Sequence, residues 1–350
     1  MTVGVALIGA GYWGPNLARN LVSAEGADLR VICDASQQRL DGMGRTYRAI
    51  RLETDVASVW AAGDVDAVVI ATPVDSHYAL ARQALEAGKH VFVEKPLARS
   101  SGECRELIEL ADRRDRVLMV GHVFLFNPSV RQVKQYIEAD EIGDLLYAYS
   151  QRLNLGQVRR DVNALWNFAP HDLSILRYWF GADPERVMAR GYAYVQPEIE
   201  DVVFMTLDYP GGIGANVHIS WLDPLKLRRM TIVGSKKMIV YDDLSAEARI
   251  AIYDKGVTRK AVDSGLQPLG SFDSFAEFQV LLRAGDVLIP RVDFVEPLRA
   301  ECQHFVDCVR NGTPPITDGW SGLAVVRALE AAQASLASGH AEQVINAERE

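Results

Sequence analysis

Three short stretches of the chain carry residue types that could do chemistry together. The run Gly9-Ala10-Gly11-Tyr12-Trp13-Gly14 follows an apolar segment and opens an amphipathic one, and Asp34 stands twenty residues past Gly14. That pattern is the signature of a dinucleotide-binding turn. The first glycine permits the tight turn, the second lets backbone approach a pyrophosphate, and the third allows close helix–strand packing. The anion then rests on helix N–H groups and the positive end of the helix dipole. Asp34 is placed to accept from an adenosine ribose 2′-hydroxyl and to repel a 2′-phosphate, so NAD is expected rather than NADP. Arg39 is either a solvated helix residue or a phosphate ligand, and it keeps NADP as the alternative.

The second stretch, Val93-Glu94-Lys95-Pro96-Leu97, puts a lysine at the carboxyl end of a strand, where open α/β sheets place their ligands. An ammonium there can hydrogen-bond a reacting hydroxyl and stabilise its alkoxide; the plain alternative is a surface lysine paired with Glu94. The third, Trp166-Asn167-Phe168-Ala169-Pro170-His171-Asp172, offers a histidine whose unperturbed pKa near 6.5 suits proton exchange. Capping or packing a helix is its competing role. A nicotinamide, a proton acceptor and a cation beside one alcohol are what hydride transfer requires.

These groups need elements to hold them. Apolar runs at residues 3–8, 29–33, 67–71, 90–93 and 117–120 alternate with amphipathic stretches, which predicts a parallel sheet covered on both faces. Ser76 and Ser101 are expected to cap helices running to Gly88 and to about Asp112. Beyond Asn127-Pro128 the texture changes. A helix near 129–139 precedes alternating runs at 145–153, 187–195, 202–209 and 213–221, with Gly211-Gly212 between the last two. Period-two alternation of this kind predicts an antiparallel meander. Residues 166–180 are expected to be helical despite Pro170, and helices at 296–310 and 320–339 close the chain.

Ala71-Thr72-Pro73 with His77, the Glu94-Lys95-Pro96 triplet and the glycine turn together resemble the Gfo/Idh/MocA oxidoreductase family. The resemblance covers nearly the whole chain. Gly121-His122 followed by Asn127-Pro128 is similar to the family's passage into its second domain. The tail Glu296-Pro297-Leu298, His304-Phe305 and Thr317-Asp318-Gly319 is similar to members acting on nucleotide-linked sugars. This resemblance implies an α/β fold: a Rossmann domain over residues 1–122 and an α+β domain over 123–350 with an open, mainly antiparallel sheet. The active site would lie between them, and the terminal helices would be free to pack back on the first. It further implies Tyr12, Trp13, Thr72, Pro73, His77 and Glu94 beside the cofactor, a cis peptide before Pro96, and His171 as acid/base. For His77 a helix-start role competes; His122 either lines the cleft or packs at the junction.

Many members carry an aspartate four residues before the histidine, and this chain has Asn167, so the Lys-Asp-His triad is incomplete. Asp172 either orients His171 or serves structure, and the structural role is adopted. Residues 152–163 resemble the substrate loop of sugar-nucleotide members. Arg152, Asn154, Arg159 and Asn163 are therefore candidate substrate ligands with Asn167, the arginines pairing bidentately with a diphosphate. A solvated basic loop is the alternative. Trp166 is either an apolar wall for a pyranose or core. The function expected is NAD-dependent hydride transfer at a ring hydroxyl, C3, of a hexose carried on a nucleotide. The alternatives are a ketoreductase, a dehydrogenase of free polyols or inositol, and a non-catalytic NAD-sensing regulator, which would need neither Lys95 nor His171.

Composition bounds the partners. The 350 residues hold 37 Lys+Arg against 46 Asp+Glu, a net charge of −9, which argues against nucleic acid or an anionic membrane as partner. The chain is long enough to bury about 75% of its unfolded surface without a metal or disulfide staple. The four cysteines, Cys33, Cys104, Cys302 and Cys308, have no ligand-like spacing, and His218 and His304 carry no motif. The first apolar run is too short to span a bilayer and lacks the marks of a signal peptide. A cytoplasmic protein without structural metal is expected, forming a homodimer or homotetramer through residues 145–295, where an open sheet face must be hidden.

Overall fold

The computed structural model describes residues 2–156, 158–257 and 282–344. Gln157 of the expected substrate loop, and residues 258–281 of the expected association region, lie outside the described residues.

The amino-terminal half follows from its apolar runs. Strands β1 (Val3–Ile8), β2 (Ala27–Cys33), β3 (Arg51–Glu53), β4 (Ala67–Ile70), β5 (His90–Glu94) and β6 (Leu118–Gly121) pair in parallel in the order β3-β2-β1-β4-β5-β6. β1, β4 and β6 are buried along their whole length, as strands covered on both faces must be. Helices α1 (Gly14–Ser23), α2 (Gln37–Thr46), α3 (Val56–Ala61), α4 (His77–Glu86) and α5 (Ser101–Arg114) connect them. β3 and α3 were not expected, being three and six residues long and too short to show a period. Two caps also differ. Ser100, not Ser101, has the extended backbone of a cap and accepts from the Glu103 N–H at 3.2 Å. Ser76 caps nothing; its hydroxyl donates to Thr72 Oγ1 at 2.7 Å.

The second half opens with α6 (Pro128–Glu138), capped by the Asn127 side chain, which accepts from the Ser129 N–H at 2.9 Å. Then come β7 (Leu145–Leu153), α7 (Ala164–Phe180), β8 (Arg186–Tyr192), β9 (Val202–Tyr209), β10 (Ile213–Ser220), β11 (Leu227–Gly234), β12 (Met238–Asp242) and β13 (Ile250–Tyr253). Their order is β13-β12-β11-β7-β10-β9-β8, with Val287–Leu288 and Glu342–Gln343 added at the two edges. The expected meander holds for β8, β9 and β10, which run antiparallel and turn at Gly211 and Gly212 with φ of 78° and 77°. β7, however, lies parallel to β10, so the sheet is mixed. β8 stops at Tyr192 rather than 195, and β11 to β13 were not expected.

One face of this sheet is covered by α7 and by the last helix, and Val203, Met205, Val217 and Ile232 are buried there with Leu176 and Trp179. On the other face Tyr147, Tyr149, Met188 and Phe204 are exposed. The closing helices are α8 (Pro297–Asn311) and α9 (Gly319–Ser338). Phe305 and Val306 of α8 pack with Val5 and Phe92 on the parallel sheet. α9 belongs to both cores, giving Leu323 and Val326 to the parallel-sheet cluster and Val325 and Leu329 to the other.

Candidate active site

A cavity of about 730 Å³ opens between the carboxyl ends of the parallel strands and the second sheet. The glycine turn forms one part of its wall, and the turn's geometry requires its glycines. Gly9 has φ +105°, and a Cβ there would stand 2.6 Å from the Ala71 carbonyl oxygen; one on Gly14 would stand 2.4 Å from that of Gly9. A Cβ on Gly11 would meet only the Arg39 guanidinium, at 3.9 Å, so the space above Gly11 is left to a ligand. Asp34 accepts from the Ala10 N–H at 2.7 Å and the Ser36 N–H at 2.8 Å, with Arg39 Nη1 at 3.5 Å. The carboxylate thus holds the turn's shape as well as marking the ribose position. These residues fit a dinucleotide whose pyrophosphate lies on backbone amides.

Trp13 joins this turn to the reacting strand, its indole Nε1 donating to Glu94 Oε1 at 2.7 Å. Next along, Lys95 precedes Pro96 through a cis peptide, and its Nζ donates to the Asn167 carbonyl at 2.8 Å. Burial pushes Lys95 down and Glu94 up, and each restrains the other's shift. Arg152 and Arg159 lower Lys95 further. Behind them Glu301 of α8 is fully buried with neither carboxylate oxygen partnered among the described residues, and burial with the Glu94 charge raises its pKa well above the usual carboxylate range. His77 is buried, with Nδ1 2.8 Å from the Pro96 carbonyl oxygen and Nε2 2.9 Å from that of Thr72. It lines the cavity, but its ring is spent on bracing the ends of β4 and β5 rather than on the cofactor.

α7 supplies the opposite wall. Asn167 and His171 are four residues apart and share a helix face. Trp166 lies beside them, walls the cavity, and donates through Nε1 to Gln333 at 3.2 Å. The edge of the His171 ring meets Phe124 at 4.9 Å between centroids, and its Nδ1 is buried with no partner among the described residues. Burial first, then Lys95, Arg152, Arg228 and His122, push its pKa well below 6.5, which corrects the expectation of an ordinary histidine value.

Several other candidate side chains are engaged within the fold. Asp172 has the structural role adopted for it: it is buried in α7, takes Arg152 Nε at 2.5 Å, and accepts from the Ser150 hydroxyl. Arg152 stays in the cavity wall, stacked 4.6 Å from the Phe124 ring, with its charge already balanced. Arg159 is likewise paired with Asp161, Nε to Oδ1 at 2.9 Å. Asn163 leaves the substrate set. Its side chain caps α7 at Trp166 N–H and donates to Glu200 at 2.7 Å and Gln333 at 3.0 Å, facing a smaller side pocket. His122 packs at the junction outside the cavity, neither ring nitrogen partnered, and burial pushes it down to about 3. Asn154, Thr72, Pro73 and Tyr12 line the cavity as expected.

Sequence reasoning missed Phe124, Arg228, Asp243, Arg249 and Phe294, all of which line the cavity. No contiguous motif marks them. Among the described residues no group of three or more His, Cys, Asp or Glu is arranged to hold a metal, and no helix is long and apolar enough to cross a membrane.

Two family sequence models match the chain: an oxidoreductase family with an NAD-binding Rossmann fold over residues 3–122, and the GFO/IDH/MocA C-terminal domain over residues 130–240. The chain is 28% identical to scyllo-inositol 2-dehydrogenase (NAD(+)) of Bacillus subtilis, with 89% of this chain and 88% of the relative covered. It is 30% identical to inositol 2-dehydrogenase 2 of Saccharopolyspora erythraea, covering 63% of this chain and 67% of that protein. Among solved structures, UDP-N-acetylglucosamine 3-dehydrogenase GnnA from Acidithiobacillus ferrooxidans superposes with a TM-score of 0.80 at 25% identity, covering 96% and 98% of the two chains.

Proposed function

The chain belongs to the Gfo/Idh/MocA family of NAD-binding oxidoreductases acting on CH–OH groups, and on that premise we propose that it oxidises a ring hydroxyl, at C3, of a hexose carried on a nucleotide. When bound, NAD supplies the hydride acceptor, held by Gly9, Gly11, Gly14 and Asp34. His171, neutral because burial and neighbouring cations depress its pKa, removes the hydroxyl proton. Lys95 donates a hydrogen bond to the same oxygen and stabilises the charge that develops on it. The observation that carries this reading is the Lys95–Asn167 contact at 2.8 Å, one helical turn before His171, which brings ammonium and imidazole to one cavity. The test is NADH absorbance with a panel of UDP-sugars, free aldoses and inositols. Activity on a UDP-hexose supports the reading, and activity confined to inositols replaces its substrate.

A free polyol is the second reading, favoured by the pairing of Arg152 with Asp172 and of Arg159 with Asp161, which neutralises the two loop arginines that line the cavity. The similarity to inositol dehydrogenases supports it too.

Cofactor choice follows from Asp34. NAD is expected to bind at least about tenfold tighter than NADP, roughly 1.4 kcal/mol. Asp34→Ser shrinks that gap by removing the repelling charge, and NAD affinity itself falls because the Ala10 and Ser36 amides lose their acceptor. Calorimetry giving equal affinities in the unaltered protein would refute the assignment.

The exposed face bearing Tyr147, Tyr149, Met188 and Phe204 is proposed to be the contact of a dimer or tetramer. Light scattering is expected to report more than one chain at micromolar concentration. Phe204→Glu, which puts a charge in the middle of that face, is expected to give monomers; a monomeric unaltered protein would rule the contact out.

A further inference from the structure

Among the described residues, charges facing the main cavity are matched one by one, with a single exception. Arg152 is paired with Asp172, Arg159 with Asp161, and Lys95 stands beside Glu94. Glu296 is taken by Arg19 of α1, Nη1 to Oε2 at 2.9 Å. Arg228 of β11 donates Nη1 to Asp243 Oδ2 at 3.2 Å. The other oxygen of Asp243 already accepts from the Tyr241 hydroxyl at 2.9 Å and from Asn127 Nδ2 at 3.1 Å. Three donors thus already engage that carboxylate, and Arg228 is the one cation among them.

Arg249, just before β13, is the exception. It lines the cavity half-buried, with its guanidinium 4.8 Å from the centre of the Phe294 ring. Its Nε reaches the Ser245 carbonyl at 3.3 Å, and it forms no ion pair among the described residues. With Nε engaged by a carbonyl, the two terminal nitrogens of the guanidinium are left for a ligand, and such a planar fork pairs with carboxylate or phosphate. Arg228 lies on the same second-sheet wall, 5.9 Å from the Phe124 ring that Arg152 also covers.

We propose that Arg249 is an anion subsite for the substrate, so that this enzyme selects sugars carrying an acidic group, a phosphate ester or diphosphate, over their neutral counterparts. The proposal rests on the dehydrogenase reading above and moves the anion contact from the 152–163 loop, where Arg152 and Arg159 are neutralised, to the second sheet. A neutral polyol would leave this cation buried against the ligand without a partner.

Two measurements test it, both on protein saturated with NADH or NAD so that the cofactor occupies the glycine turn. In the first, glucose, glucuronate, glucose 1-phosphate and UDP-glucose are compared as substrates. KM for the phosphorylated sugars is expected to be at least about tenfold below that for glucose, and Arg249→Gln should erase most of that ratio while Arg249→Lys restores part of it. Preference for glucuronate alone would make the group a carboxylate and overturn the phosphate assignment. Equal KM values, or a preference untouched by Arg249→Gln, would overturn the subsite. So would a variant whose defect lies in NAD affinity instead. In the second, calorimetry follows inorganic pyrophosphate binding to the NADH-saturated protein, without turnover. Binding that is lost in Arg249→Gln while no sugar is oxidised keeps the subsite and refutes the dehydrogenase reading. Absence of pyrophosphate binding in an active enzyme refutes the subsite alone.

Discussion

Lys95→Met is expected to lower turnover by at least roughly 10²–10⁴-fold while NAD affinity stays nearly unchanged. Methionine keeps much of the side-chain length, so the substitution removes the donor and its charge rather than a packing element. The pyrophosphate and ribose contacts argued above belong to the glycine turn and Asp34, which the substitution leaves unaltered. A pH profile separates this role from a structural one. Burial and the Arg152 and Arg159 charges hold Lys95 below the ordinary lysine range, so the ammonium is lost at lower pH than in a free lysine. Rising pH therefore removes the group that stabilises the alkoxide. The rate should fall on the alkaline side below the usual lysine value, and the residual activity of Lys95→Met should lack that limb. Near-normal turnover in the variant, or persistence of the limb, would leave the lysine without a chemical part.

His171→Ala should fall by a similar factor, roughly 10²–10⁴, since general acid–base catalysis alone is worth that much. The sign of its pH dependence follows from its surroundings. A histidine pushed well below 6.5 is neutral, and able to accept a proton, throughout the neutral range. The acidic limb of the oxidation rate therefore lies below the ordinary histidine value and disappears in the variant. Asn167→Ala should be much milder, because the atom that holds Lys95 is the backbone carbonyl, which alanine keeps. Asp172→Ala is informative in another way. It strands the buried Arg152 charge, at a cost of about 3–5 kcal/mol, so its damage should appear as lost thermal stability rather than a changed pH profile. Full activity in His171→Ala would return the base to another residue.

The contrast between these residues explains what was legible before any coordinates. The glycine turn and the Glu94-Lys95-Pro96 triplet lie within contiguous segments, so residue type, strand end and helix start are all local. The same holds for the parallel sheet, whose strands are nearly unbroken apolar runs. The second sheet was read only as far as neighbouring hairpins reach. Parallel pairing of β7 with β10 joins segments some sixty residues apart, and alternation fixes a strand's face but not its neighbour. Arg228, Asp243 and Arg249 reach the cavity through the pairing of β11 with β7 and of β12 and β13 beyond it, so no motif announces them. Asn163 is a substrate candidate only through the resemblance of residues 152–163 to a substrate loop; its use as a helix cap depends on where α7 begins. The depressed pKa of His171 likewise depends on Phe124 and three cations brought in by the fold.

The last helix bears on whether the cofactor half is an autonomous folding unit. β6 is the edge strand of the parallel sheet, and residues just ahead of α9 close that edge: the Val120 N–H donates to the Thr317 carbonyl at 2.8 Å, and Met119 pairs with Asp318. Gly319 and Gly322 then bring the helix so near that a Cβ would stand 2.6 Å from Ile108 and 2.7 Å from Val120. A chain ending at residue 122 would include every residue of the glycine turn and Lys95, and would still expose this edge and the apolar surface under Leu323 and Val326. The two halves are thus expected to melt in one cooperative transition. Any exchange of the amino-terminal half between relatives must carry the matching final helix with it.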